Sequence, residues 1–129
     1  MFGRSFLGPL LVLAFSLLAA ARVHPFPPSF RTEEIKTDGA TIHVRIGGQG
    51  PAVIMLHGFA DTGDMWAPLA AELERDHTVI VPDLRGMGLS SHPEGGYDKK
   101  TQAGDIAGVL NAPMSKSGQG PRADLLRRF

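Results

Sequence analysis

Val53-Ile54-Met55-Leu56-His57-Gly58-Phe59 is the stretch that decides how this chain folds. Its first part belongs to a short continuous apolar run, Ala52–Leu56, bounded by Pro51 and Gly58. Such a run suits a strand buried on both faces, as in a parallel sheet. The run leads straight into a His-Gly loop, and then the period changes. Trp66, Leu69, Ala70 and Leu73 recur at spacings of three and four, which predicts a helix with one apolar stripe. Asp64 is placed to cap that helix, and Pro68 falls in its first turn, where a missing amide costs little. The end of a strand leading into a helix is where α/β proteins bind ligands.

Working outward, Thr32–Thr37 and Thr41–Ile46 read as two strands joined at Asp38-Gly39. That dipeptide favours a tight hairpin because both positions tolerate positive φ. Thr41–Ile46 alternates, so Ile42, Val44 and Ile46 are expected on one buried face. Gly47-Gly48-Gln49-Gly50-Pro51 is a loop; it precedes a strand rather than following one, which excludes a phosphate-binding loop. On the other side, Thr78–Val81 is a second apolar run that ends at Pro82-Asp83. Ala103, Ile106, Ala107 and Leu110 mark a second helix, with Asp98 as its cap. The fold class is therefore α/β: an antiparallel hairpin followed by parallel βαβα units.

Two loops carry chemistry. The first, His57-Gly58-Phe59, has main-chain amides able to face a developing negative charge. The second, Val81-Pro82-Asp83-Leu84-Arg85-Gly86-Met87-Gly88-Leu89-Ser90, is rich in turn formers; Gly86 and Gly88 permit tight geometry, and Asp83 and Arg85 can hydrogen-bond the loop. Together with Trp66, these two motifs resemble the α/β-hydrolase superfamily, in the branch of epoxide hydrolases and haloalkane or haloacid-ester dehalogenases. The resemblance covers about residues 32–111. It implies a hydrolase without cofactor that attacks a small epoxide, ester or halide through a covalent intermediate. It makes His57-Gly58-Phe59 the oxyanion-hole loop, donating from the Phe59 N–H. It makes Asp83, Arg85, Gly86, Gly88 and Ser90 a structural loop motif. The histidine of such a triad is its last member in chain order, so His57 orders its loop rather than acting as base. Ala60 is a departure, since many epoxide hydrolases carry proline there, while esterases and carbon–carbon hydrolases tolerate small residues.

The nucleophile elbow of the family is Gly-x-Ser-x-Gly or its Asp equivalent. Gly88-Leu89-Ser90-Ser91-His92 lacks the second Gly, and Ser117-Gly118-Gln119-Gly120 lacks the spacing and a preceding strand. The resemblance places the elbow just after a strand like Ala123–Leu126. The expectation is a partial α/β-hydrolase fold, its N-terminal part, truncated before that elbow, with no catalytic nucleophile, acid or base in the chain.

Composition narrows the rest. The 129 residues allow one domain, and a formal net charge of zero gives no basic field for nucleic acid. The absence of cysteine excludes disulfides and thiolate metal sites, and His24, His43, His77 and His92 show no metal-ligand spacing. Residues 1–21 form a secretory signal pattern: Arg4, an apolar run Phe6–Leu18, then Ala19-Ala20-Ala21. Cleavage there leaves no stable membrane anchor and predicts a secreted or periplasmic protein. Residues 22–31, with prolines at 25, 27 and 28, read as an extended leader. Residues 112–129 read as an irregular tail, frameshifted or truncated. Two alternatives to the hydrolase remain: a truncated fragment with no activity of its own, and a small α/β binding module. As a fragment the chain is expected to self-associate or aggregate.

Overall fold

The computed structural model describes residues 25–113. The secretory pattern at residues 1–21 and the strand expected at Ala123–Leu126 lie outside them.

Four strands form one sheet: β1 (Arg31–Thr37), β2 (Ala40–Gly47), β3 (Ala52–Ile54) and β4 (Thr78–Pro82). Helix α1 (Ala67–Leu73) joins β3 to β4, and α2 (Lys99–Asn111) follows β4. The spatial order is β1-β2-β4-β3. β1 pairs antiparallel with β2 through a two-residue turn that sets Thr37 opposite Ala40. Of Asp38 and Gly39, only Gly39 takes a positive φ, 76°. β2 pairs antiparallel with β4, and β3 runs parallel to β4 with Val53 opposite Val79. The antiparallel hairpin and the parallel βαβ unit both stand as expected from the alternating and continuous apolar runs. The strand β3 is shorter than expected, because Met55 and Leu56 leave the ladder; Met55 still donates its N–H to Ile80 O at 2.9 Å.

Period-two alternation divides the core in two. Ile42, Val44, Ile46 and Ile80 meet Ile35 and Val109 on the α2 side. Val79, Val81, Met55 and Ala70 meet Trp66, Leu73, Phe26 and Phe30 on the α1 side. Fully burying side chains of this size contributes about 1.5–3 kcal/mol each. β2 is thus buried on both faces rather than one, since His43 and Arg45 are 6% and 7% exposed. The leader is also more than an extended arm. Phe30 N–H closes a turn onto Pro27 O, the rings of Phe26 and Phe30 lie 5.1 Å apart, and Arg45 sits over the Phe26 ring.

Both helices differ from their sequence stripes. Asp64 does not cap α1. It lies in a short 3₁₀ turn, Gly63–Trp66, capped by Thr62, and pairs with Arg45 at 2.9 Å. On α1 the buried positions are Ala67 and Ala70, while Leu69 is 46% exposed. On α2 the buried face is Gln102, Asp105 and Val109, one step from the predicted Ala103/Ala107 line; Ala103 and Ala107 face solvent. The cap is as expected: Asp98 accepts from the Thr101 N–H at 2.9 Å.

The turn of α2 follows from one ion pair. Arg85, 4% exposed, holds Asp105 with both Nε (2.7 Å) and Nη2 (2.8 Å), and the same Nη2 donates to Asp38 O at 2.7 Å. Asp105 also accepts from Thr37 Oγ1 at 2.6 Å. A buried guanidinium needs a buried carboxylate, so α2 rotates Asp105 inward and Val109 follows one turn later. Burial opposes ionisation of Asp105, but the hydrogen bonds from Arg85 and Thr37 and the Arg85 charge outweigh it. Its pKa lies below the ordinary 3.8.

Two predictions follow from this brace and from the sheet's margin. Arg85→Ala leaves Asp105 buried without its partner and should cost about 3–5 kcal/mol of unfolding free energy, measured by urea titration. Because the folded pKa of Asp105 is depressed, its contribution is complete above the unfolded value and lost as pH falls through the folded one. Stability should therefore drop below about pH 4, and Asp105→Asn should flatten that acid limb; an unchanged slope refutes the assignment. At the margin, β3 has one hydrogen-bonded neighbour among the described residues, and an unpaired edge invites strand addition. The full chain should elute as concentration-dependent oligomers with a broad thermal transition. A monodisperse monomer that unfolds sharply would overturn this expectation.

Candidate functional site

β3 and β4 are parallel, so their C-terminal ends lie side by side and deliver two loops to one edge of the sheet. The loop after β3 carries His57, Gly58 and Phe59; the loop after β4 carries Asp83 to Ser90. The structure brings the two sequence motifs into direct contact.

His57 is 5% exposed and engages both loops. Leu84 N–H donates to its Nε2 at 2.9 Å, so Nε2 is unprotonated in this contact. Nδ1 then carries the proton and donates to Gly58 O at 2.8 Å. Both ring nitrogens of His57 are thus engaged by backbone groups of the two loops. Phe59 is 92% exposed, and among the described residues its N–H donates to no acceptor. Gly58 is not forced by crowding, since a side chain added there would meet nothing within 4 Å. Ala60 takes a positive φ of 61°, a geometry closed to proline.

Asp83 is fully buried at the end of β4. Its Oδ1 accepts from Gly63 N–H at 2.7 Å and from Arg45 Nη1 at 3.1 Å; its Oδ2 accepts from Leu89 N–H at 2.9 Å. Burial works against the charge, but the Leu89 and Gly63 amides and the Arg45 guanidinium prevail, and the pKa lies below 3.8. Gly88, at φ 53°, passes so close that a side chain would come within 2.3 Å of Asp83 Oδ2. Gly86, at φ 76°, lies likewise against the Tyr97 ring. Ser90 is 2% exposed; its hydroxyl donates to Asp83 O at 2.6 Å and accepts from His43 N–H at 2.9 Å. The hydroxyl thereby ties the loop after β4 to β2.

Beside the His57 loop lies a pocket of about 200 Å³, walled by Phe59, Leu84, Met87 and Tyr97, with Lys99 and Gln102 contributed by α2. Among the described residues, no cluster of His, Asp or Glu gathers as a metal site needs. Sequence reasoning missed the partners of the motif: Arg45, itself paired with Asp64, for Asp83, and Asp105, itself held by Thr37, for Arg85. The available signal was charge. Arg45 sits in the middle of an apolar strand and Asp105 in the middle of a helix, where an unpaired ion is costly.

The model of the family described as the alpha/beta hydrolase fold matches residues 51–125. Among curated proteins, the fluoroacetate dehalogenase of a Burkholderia species is 42% identical over 69 residues, which is 54% of this chain and 23% of that protein. The epoxide hydrolase of Caballeronia sordidicola is 39% identical over 82 residues, 61% of this chain and 25% of that protein. Among solved structures, an epoxide hydrolase from Vigna radiata superposes with a TM-score of 0.60 at 30% identity, covering 64% of this chain and 28% of that one. The chain thus spans between a fifth and a third of the length of these relatives. With a family model over more than half of its residues and both loops of its sheet edge in place, this chain belongs to the α/β-hydrolase family.

Proposed function

We propose that the chain is the loop-bearing part of an exported hydrolase of the epoxide-hydrolase-like type, which acts on a small epoxide, ester or halide through a covalent intermediate. One observation carries the proposal: the Phe59 N–H is unengaged at the C-terminal end of a parallel strand, in a loop braced from behind by His57 and Asp83. A fixed main-chain donor of this kind stabilises the oxyanion of acyl and alkyl-ester chemistry without reorganising during the reaction. The relatives named as an epoxide hydrolase and a fluoroacetate dehalogenase support the substrate range. The partner of this function is a small molecule, and no cofactor enters it.

A second reading, a chain with no activity of its own, is favoured by the engagement of the polar groups at the site. Ser90, Asp83 and His57 each spend their hydrogen-bonding capacity on backbone or on Arg45. The nucleophile, acid and base of the reaction are therefore assigned to residues other than these.

The purified chain alone is expected to turn over nothing. The two readings part on one assay, with styrene oxide, p-nitrophenyl acetate and fluoroacetate offered to the chain joined to the later part of an epoxide-hydrolase relative, which supplies the nucleophile, acid and base. The hydrolase reading expects turnover that Phe59→Pro, which deletes the donor, lowers about 10²–10³-fold in kcat. The second reading expects none above background. Turnover untouched by Phe59→Pro, Ser90→Ala and His57→Ala would remove this loop from the chemistry altogether. Export has its own check. Protein recovered from outside the cytoplasm should begin at Arg22 by mass spectrometry of its N-terminal peptide; an intact Met1 terminus there would refute cleavage.

A further inference from the structure

Gly58 O and Phe59 N–H belong to the same peptide unit. A trans peptide is planar, with its carbonyl and its amide hydrogen pointing to opposite sides. Whatever fixes the direction of Gly58 O therefore fixes the direction of Phe59 N–H as well. Gly58 itself does little to perform that task, because a Cβ added there would meet nothing within 4 Å and glycine accepts either sign of φ. The one contact that pins the carbonyl among the described residues is the hydrogen bond from His57 Nδ1, at 2.8 Å.

We propose that His57 is a positioning residue whose Nδ1-protonated tautomer selects the peptide plane of Gly58–Phe59 and so aims the Phe59 N–H. The Leu84 N–H is the other half of the device. By donating to Nε2 at 2.9 Å it excludes a proton from that nitrogen, which leaves the proton on Nδ1, facing Gly58 O. Leu84 follows Asp83, whose carboxylate also holds Gly63 on the far side of the same loop. The order of control runs from the β4 loop, through the imidazole tautomer, to the direction of one main-chain donor. A single neutral hydrogen bond biases such a choice by about 2- to 10-fold. The aim then comes from the imidazole rather than from the shape of the loop alone. The proposal rests on the Phe59 N–H being the oxyanion donor only for its functional meaning; the control of the peptide plane is separate.

Two side chains separate the halves of the device. In His57→Asn the side-chain nitrogen stands near Nδ1 and can still donate to Gly58 O, while Leu84 loses its acceptor. In His57→Gln the side-chain oxygen stands near Nε2 and still accepts from Leu84, while Gly58 O loses its donor. The experiment is NMR on the isotope-labelled full chain, without substrate. Imidazole nitrogen shifts report the tautomer, and the residual dipolar coupling of Phe59 N–H reports its direction. Expected are the Nδ1–H tautomer in the wild type, retention of the Phe59 coupling in His57→Asn, and its loss in His57→Gln. A wild-type Nε2–H tautomer, or a coupling kept by Gln and lost by Asn, overturns the proposal. Should either variant fail to fold, the wild-type tautomer decides alone. Failure of the hydrolase reading shows elsewhere, in turnover indifferent to Phe59→Pro, which leaves the imidazole in place.

Discussion

A single carboxylate, that of Asp83, sits where three parts of the molecule converge. It stands at the end of β4 and gives one oxygen to the Gly63 amide beyond β3 and to Arg45 from β2, and the other to Leu89 in its own loop. Three strands are thereby referred to one point. The charge is tolerated in the interior because every contact it makes is a donor, and hydrogen bonds to charged groups are roughly twice as strong as neutral ones. Removing the carboxylate would leave the Leu84–His57 hydrogen bond as the tie between the two loops of the sheet edge and leave Arg45 buried with the exposed Asp64 as its ion-pair partner.

Arg85 and Asp105 do the same for the opposite face. Through Asp38 O and Thr37 the pair reaches the tip of the β1–β2 hairpin, and through Asp105 it sets the rotation of α2. The motif from Asp83 to Ser90 is thus a double clamp: one residue fixes the site loops, the other fixes the helix and the hairpin. Gly88 and Gly86 supply the close approach and the positive φ that let so short a segment do both.

The parts of this design that follow a period were legible in the sequence. The continuous run at Ala52–Leu56 and the alternation at Thr41–Ile46 gave the strands, and Asp38-Gly39 gave the turn. What was not legible came from pairing at a distance. Leu69 looks like a core residue by spacing, but the apolar cover over this side of the sheet comes partly from Phe26 and Phe30, and Leu69 is left exposed. Ala103 and Ala107 lost their place to Asp105, because the demand of a buried arginine outweighs the burial of two methyl groups. In the site, the two motifs pointed to their own loops. That Leu84 would reach His57 across 27 positions depends on the parallel register of β3 and β4, which no local pattern encodes.

The strand order has a consequence in time. β4 lies between β2 and β3, yet it is the last of the four to be synthesised. The β1–β2 hairpin can close as soon as Gly47 is made, with only a two-residue turn to order. Its apolar side chains Ile42, Val44 and Ile46 then wait for Ile80 and Val109, and the pairing of Val44 with Pro82 must close a far longer loop. Closure entropy grows only slowly with length, so the delay is set less by chain statistics than by the arrival of the residues themselves. Until then the nascent hairpin carries an apolar face with no cover.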